Sequence, residues 1–223
     1  MADLPLTLDI LSTLVAARPA REDLCRGACL LPGFALGAAA EFVGLVADVT
    51  AGAPFRHMTT PGGFRMSVAM SNCGTYGWLT DRSGYRYGRV DPDSSLPWPP
   101  LPAAFARLAR AAAATAGFPG FDPDACLINR YEPGARMSLH QDKNERDFSQ
   151  PIVSVSLGLP ATFQIGGHAR TDKSLRVPLQ HGDVLVWGGP ARMRFHGVMP
   201  LHAGHHTMLG ASRVNLTFRR AAL

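Results

Sequence analysis

Beyond residue 120 the chain breaks into seven short segments: ACLINRY (125–131), IVSVSLGL (152–159), ATFQIGG (161–167), SLRVPL (174–179), DVLVWGG (183–189), RFHGV (194–198) and SRVNLTFR (212–219). Glycine, proline and polar turns separate them. Each is too short for an ordinary helix, and several alternate or run together in β-branched residues, so this half of the chain must pair into sheets. Many short strands behind one or two helices fold as a two-sheet jelly-roll or a barrel. The helices lie upstream. Residues 35–52 place Phe42, Leu45, Val46 and Val49 at helical spacing, and 101–117 is alanine-rich with proline near its start and glycine at its end. The predicted class is mainly β with flanking helices (α+β).

Between those helices, roughly 51–100, glycine, proline and aromatic residues take over. Residues 51–90 carry five arginines, Arg56, Arg65, Arg82, Arg86 and Arg89, against one acid, Asp81, with Trp78, Tyr85 and Tyr87 interleaved. The chain as a whole has a formal net charge of +5, which favours an anionic partner, nucleic acid first. The four cysteines, Cys25, Cys29, Cys73 and Cys126, include one C-x3-C pair with no further zinc ligands at ordered spacing, so free thiols in a reducing compartment are expected. The first twenty residues have an apolar middle but carry Asp3 and Asp9 and no basic start, which reads as a short helix or a loose arm. No apolar run reaches the length of a membrane span, and the cytoplasm is the expected location.

The strand region also carries chemistry. His140 and Asp142 stand one residue apart, on one face if the chain is extended there. The spacing is weak evidence, because His181 and Asp183 repeat it, although Gly182-Asp183 before an apolar run is ordinary turn chemistry. His196 in RFHGV would complete two imidazoles and one carboxylate, a set that caps one face of an octahedral metal and suits non-haem Fe(II) oxygenases. In SRVNLTFR, Arg213, Asn215, Thr217 and Arg219 alternate with Val214, Leu216 and Phe218. Such a strand ordinarily turns its polar face to solvent. Two arginines on one face could instead fork onto the two carboxylates of a dicarboxylate such as 2-oxoglutarate. Asn129 and Tyr131 share a face in the same way and offer neutral hydrogen bonds.

With these residues in view, the chain resembles the AlkB family of Fe(II)/2-oxoglutarate-dependent nucleic-acid dealkylases, particularly its bacterial members. The resemblance runs from about residue 28 to about residue 220, through TPGGFRMSVAMSNCG, DPDACLINRYEPGA, SLHQDK, PIVSVSLGLPATFQ, HGDVLVWGG and RVNLTFR. It implies a double-stranded β-helix (jelly-roll) core with an N-terminal nucleotide-recognition lid. The chain would be one catalytic domain: an arm over 1–27, a helical flank and lid over 28–120, and the core over 121–223. The resemblance selects His140, Asp142 and His196 as iron ligands. It assigns Arg213 to the distal carboxylate of 2-oxoglutarate, Arg219 to the metal-proximal end, and Asn129, Tyr131 and Asn215 to the surroundings of the co-substrate. Trp78, Tyr85, Tyr87, Asn144 and Arg170 would meet the substrate.

The implied reaction is oxidative removal of N-alkyl groups, as in 1-methyladenine and 3-methylcytosine, using Fe(II), O2 and 2-oxoglutarate and releasing aldehyde, succinate and CO2. The implied partner is alkylated DNA, single-stranded or with a base flipped from duplex, and RNA is the second polymer to consider; a monomer suffices. Two other readings are an Fe(II)/2-oxoglutarate hydroxylase or demethylase acting on a small molecule or protein, and a jelly-roll that binds nucleic acid without chemistry. Asn144 departs from the close bacterial relatives, which carry an acid there. Asparagine keeps one acceptor, loses the charge and adds an NH2 donor, so a weaker preference for cationic lesions is expected, unless a small loop shift brings Glu145 into the same place.

Overall fold

The structure, a computed structural model, describes residues 18–222; the helix or arm expected at the N-terminus lies outside the described residues up to residue 17. Two antiparallel sheets face each other. The larger has seven strands in the order β1-β2-β11-β8-β13-β6-β3. These are β1 (Glu22–Cys25), β2 (Ala28–Leu31), β3 (Ala69–Gly74), β6 (Ala125–Tyr131), β8 (Ile152–Gly158), β11 (Val184–Trp187) and β13 (Arg213–Arg219). The smaller runs β10-β9-β12-β7, built from β7 (Met137–His140), β9 (Ala161–Ile165), β10 (Leu175–Leu179) and β12 (His196–Val198). A hairpin, β4 (Gly77–Asp81) with β5 (Gly84–Gly88), forms its own two-stranded sheet and packs through β4 against β3 and β6. This is the predicted mainly-β class with flanking helices and a jelly-roll core.

All seven segments read as strands are strands. The partition at residue 120 needs correction, because β1, β2 and β3 belong to the large sheet although they precede that boundary. β1 and β2 pair along the edge of the sheet, so residues 22–25 are sheet rather than arm. Their four-residue lengths give too few alternations to distinguish them from turns. β7 was missed for the same reason.

Helix α1 (Ala39–Gly52) and helix α2 (Ala103–Thr115) cover the outer face of the large sheet. α2 ends in a Schellman turn: Gly117 has φ +95°, its N–H reaches the Ala114 carbonyl at 3.0 Å, and Phe118 N–H reaches Ala113 at 2.8 Å. Phe105 of α2 lies 4.7 Å from Phe42 of α1 and 6.0 Å from Phe218 of β13, ring centre to ring centre. Val153, Val155, Val184, Val186, Val214 and Leu216 complete this layer. Truncating a buried phenyl such as Phe105 to alanine would cost about 3–5 kcal/mol.

The other face of the large sheet looks at the small sheet. Near β11 that space is apolar, filled by Leu185, Trp187, Phe163 and Val177. Near β6 and β13 it is not. All seven residues of β13 are buried, polar and apolar alike. The polar face that the alternation would ordinarily give to solvent is instead enclosed between two sheets. Asn129, Ser154, Ser156, Arg213, Asn215, Thr217 and Arg219 are all buried.

Candidate metal centre and cavity

β7 and β12 pair so that His140 and His196 are opposite one another, with ring centroids 4.5 Å apart. Asp142 follows two residues past His140, beyond the end of its strand. His140 Nε2 lies 3.6 Å from Asp142 Oδ1, and His196 Nε2 lies 3.7 Å from Asp142 Oδ2. One ligand atom from each of the three lies within 4.8 Å of the others, and this is the single such group of histidine, cysteine and acidic side chains among the described residues.

The second nitrogen of each imidazole is already committed. His140 Nδ1–H donates to the Ser138 carbonyl at 2.8 Å, and His196 Nδ1–H donates to the Arg194 carbonyl at 3.0 Å. Both bonds fix the tautomer that leaves an Nε2 lone pair facing the aspartate, as metal ligation requires. Burial and the neighbouring His196 push His140 down to about 4, although 37% of its side chain still meets the cavity, so the imidazole is neutral at physiological pH. Burial alone would raise the Asp142 carboxyl; Arg219 and the two imidazoles overcome it and hold the group well below the usual carboxylate range. Two imidazoles and one carboxylate with an open side are a donor set that fits Fe(II).

The triad lines a cavity of about 770 Å³ between the sheets, within the range of small-molecule sites. Asn129, Tyr131, Arg213, Asn215 and Arg219 all reach it. Arg213 is 1% exposed and makes one hydrogen bond, Nη2 to Ser156 Oγ at 3.0 Å, with its plane over Tyr131 at 5.1 Å. Its Nε and Nη1 have no protein partner, and neither has Asn129 Oδ1. A buried cation with two orphaned donors at the cavity wall fits the carboxylate of a small anion. Arg219 differs: its Nε and Nη2 donate to Asp142 Oδ2 at 3.0 and 2.6 Å, so it already holds a carboxylate. Asn215 also differs from expectation. Its amide nitrogen donates to Ser154 Oγ and the Val155 carbonyl, and its oxygen accepts from Thr217, so it holds β8 against β13 with no donor to spare.

The β4–β5 hairpin stands at the mouth of the cavity. Asn72 of β3 holds Trp78 by both of its backbone groups, accepting from its N–H at 2.9 Å and donating to its carbonyl at 3.1 Å. Gly77 is required beside it, because a Cβ there would lie 2.3 Å from the buried Trp98 ring. Trp78 and Tyr85 stack at 5.7 Å and both line the cavity, as do Asn144 and Arg170. Tyr87 does not. Its hydroxyl turns inward and donates to Glu145 Oε1 at 2.6 Å, which corrects the expectation that it meets substrate. Glu145 is 6% exposed and bonded to Arg192 as well, so it is not free to replace an acid at position 144. Asn144 itself is exposed and reaches the Tyr85 carbonyl at 3.4 Å.

The competing His-x-Asp pair is structural. His181 Nδ1 accepts the Gly158 N–H, and the Asp183 carboxylate accepts from Gly33 and Gln180 N–H and from Arg18. Of the five arginines at 51–90, Arg56 pairs with Asp91 and Asp93 and Arg86 with Asp81, while Arg65 lines the cavity. Residues missed from the sequence include Phe64, 75% exposed at the rim, Arg136 and Lys143 beside it, and the buried pair Glu145–Arg192. The pattern TPGGF, a tight turn before an aromatic residue, is the one signal that pointed to Phe64. No helix among the described residues is long and apolar enough to cross a membrane.

The sequence pattern of the 2OG-Fe(II) oxygenase superfamily matches residues 27–219. The chain is 53% identical over 212 residues to the alpha-ketoglutarate-dependent dioxygenase AlkB of Escherichia coli, covering 95% of this chain and 98% of that one. It is 45% identical over 181 residues to the alpha-ketoglutarate-dependent dioxygenase AlkB homolog of Caulobacter vibrioides, covering 79% and 80%. Among solved structures, that of OsALKBH1 superposes with a TM-score of 0.77 at 28% identity, covering 90% of this chain and 99% of the other.

Proposed function

The chain belongs to the 2OG-Fe(II) oxygenase superfamily and, within it, to the AlkB dioxygenases, and from that premise we propose that it removes N-alkyl groups oxidatively from the bases of nucleic acid. The observation that carries this reading is the cavity that joins three features: the His140–Asp142–His196 triad, a buried Arg213 with no carboxylate partner, and an aromatic hairpin at its mouth.

His140, Asp142 and His196 would hold Fe(II), through both Nε2 atoms and a carboxylate oxygen. Arg213, with Asn129 and Tyr131 beside it, would hold the distal carboxylate of 2-oxoglutarate. With O2, the metal and 2-oxoglutarate supply oxidation of the N-alkyl carbon, giving succinate, CO2 and a hydroxylated carbon that leaves its nitrogen as an aldehyde. The protein does the rest. Arg219 holds Asp142 ionised and in place, and the Ser138 and Arg194 carbonyls hold both imidazoles in the ligating tautomer. The sheets exclude bulk water from the reacting carbon.

The mouth suits a single base taken out of its stack. Trp78 and Tyr85 offer flat faces, and Arg65, Arg136, Lys143 and Arg170 ring the opening with charge for flanking phosphates. Among the described residues Asp142 is the one acid that lines the cavity; Arg219 offsets its charge, and a bound metal would do so further. Lesions cationic on the Watson–Crick edge, such as 1-methyladenine and 3-methylcytosine, pair poorly and flip cheaply. Asn144 at the mouth lowers the preference for that charge and admits neutral lesions with a carbonyl there, such as 1-methylguanine or 3-methylthymine. A monomer suffices, because one chain supplies every group named.

Mass spectrometry of methylated DNA and RNA oligonucleotides, single-stranded and duplex, incubated with the protein, Fe(II) and 2-oxoglutarate tests this reading. The expected result is a loss of 14 mass units from 3-methylcytosine in single-stranded DNA, accompanied by succinate. Succinate formation that no oligonucleotide stimulates would overturn the reading in favour of a small-molecule or protein substrate.

A further inference from the structure

We propose that Glu145 is a positioning residue that ties the lid hairpin to the metal carboxylate, so that what binds beneath the hairpin changes how firmly Asp142 is held. The inference rests on the reading of the triad as a metal site, since Asp142 is its endpoint.

Four side chains carry it. Glu145 Oε1 accepts from the Tyr87 hydroxyl at 2.6 Å, and Oε2 accepts from Arg192 Nη2 at 2.9 Å. Arg219 Nε lies 3.4 Å from Oε1. Arg192 Nη1 donates to the backbone carbonyl of Asp142 at 2.7 Å, and Arg219 donates twice to its carboxylate, at 3.0 and 2.6 Å. Asp142 is thus gripped at main chain and side chain by two different arginines, and both lean on Glu145. Arg192 follows a short 3-10 turn after β11, Arg219 ends β13, and Asp142 follows β7. These separate parts of the jelly-roll converge on one hydroxyl that belongs to β5 of the lid.

The arrangement is sensitive for an electrostatic reason. Two arginines and two carboxylates are buried together, so the group balances as a whole and no member can be lost without leaving an excess charge. Burial pushes the Tyr87 hydroxyl well above its usual range, so it remains a donor, and its bond to a carboxylate is charge-assisted. Asn144 makes a second contact from the same loop, to the Tyr85 carbonyl at 3.4 Å. β5 therefore touches the 142–145 loop at alternate residues, Tyr85 and Tyr87. A hairpin that lifts must break the Tyr87–Glu145 bond or drag Glu145 with it, and either shifts both arginines that hold Asp142. A ligand that keeps the hairpin down keeps Asp142 aimed. Linkage makes the effect reciprocal: whatever factor the oligonucleotide adds to metal affinity, the metal adds to oligonucleotide affinity.

The test uses the full chain without turnover. Co(II) is titrated by its visible absorption, in the absence of O2, with and without a single-stranded oligonucleotide bearing 3-methylcytosine. The parent should bind Co(II) about fivefold or more tightly with the oligonucleotide present. Tyr87→Phe should bind Co(II) alone within about twofold of the parent and lose the oligonucleotide effect. Glu145→Gln should weaken Co(II) binding in both conditions and alter the absorption band. If that variant does not fold, Tyr87→Phe decides the matter alone. A parent that binds Co(II) with no oligonucleotide effect, or a Tyr87→Phe variant that keeps the full effect, overturns the tether. A parent that binds no Co(II) overturns the metal reading beneath it.

Discussion

Arg213 and Arg219 stand at opposite ends of one strand face, both buried, with opposite partnerships. Arg219 meets Asp142 through two nitrogens and has Glu145 within 3.4 Å. Arg213 meets one serine hydroxyl and the face of a tyrosine, and two of its nitrogens have no partner. Burying a guanidinium without a carboxylate costs several kcal/mol, so a chain keeps such a group where a ligand completes it. The difference supports the proposal that one arginine serves the architecture around Asp142 and the other receives a co-substrate. It also separates two arginines that the sequence pattern alone made equivalent.

The comparison can be broken at several points. The largest effect is expected from Asp142→Ala, which removes the carboxylate proposed to bind the metal and leaves Arg219 with Glu145, at 3.4 Å, as its carboxylate partner. Turnover of a methylated oligonucleotide should fall on the order of 1000-fold or more, read by product mass spectrometry. Activity within tenfold of the parent would move the metal elsewhere. Next is Arg213→Met. Loss of a buried charge-assisted contact, about 2–5 kcal/mol, should raise the KM for 2-oxoglutarate roughly 100-fold, yet the ligand-free melting temperature should hold or rise because a buried unpaired ion is gone. A fall in melting temperature with an unchanged KM would reverse the assignment.

Arg219→Met should do the opposite in the ligand-free protein. Stranding Asp142 costs about 3–5 kcal/mol, which lowers the melting temperature by about 10 °C, while Glu145 keeps Arg192 and Tyr87. Calorimetry of the two methionine variants side by side shows whether the contrast is real; equal shifts would erase it. The smallest effect belongs at the mouth. Asn144→Asp should shift the ratio of 3-methylcytosine to 3-methylthymine turnover toward the cationic base by a few-fold, about 1 kcal/mol for an exposed charge. Because Glu145 is already held by Arg192 and Tyr87, an unchanged ratio can no longer be ascribed to Glu145 taking the place of the acid.

Much of this molecule was legible before folding. Strand after strand beyond residue 120 matched its segment, since period-two alternation and turn residues act locally. His196, expected as an iron ligand, and Arg213, expected at a carboxylate of 2-oxoglutarate, both line the cavity, but they were singled out on resemblance: spacing alone could not separate His140-x-Asp142 from His181-x-Asp183. Pairing separates them. His140 meets His196 across β7 and β12, whereas His181 meets the backbone of Gly158. Tyr87 shows the opposite failure. It sits two residues from Tyr85 on the same strand, yet one ring faces the cavity and the other hydroxyl reaches a buried carboxylate. β1, β2 and β3 were not anticipated as members of the large sheet, because sheet membership is decided by distant partners.

The sequence by itself determined the two α-helices, seven of the strands beyond residue 120, which residues could ligate a metal, and that the middle of the chain is basic and aromatic. These follow from local periodicity and side-chain chemistry, which need no partner to exist. Only the tertiary structure decided that the polar face of β13 is enclosed, that one arginine is paired and the other open, and that Glu145 joins the lid to Asp142. Each depends on which groups distant strands bring within about 3 Å, where the loss of water makes a missing or present partner worth several kcal/mol.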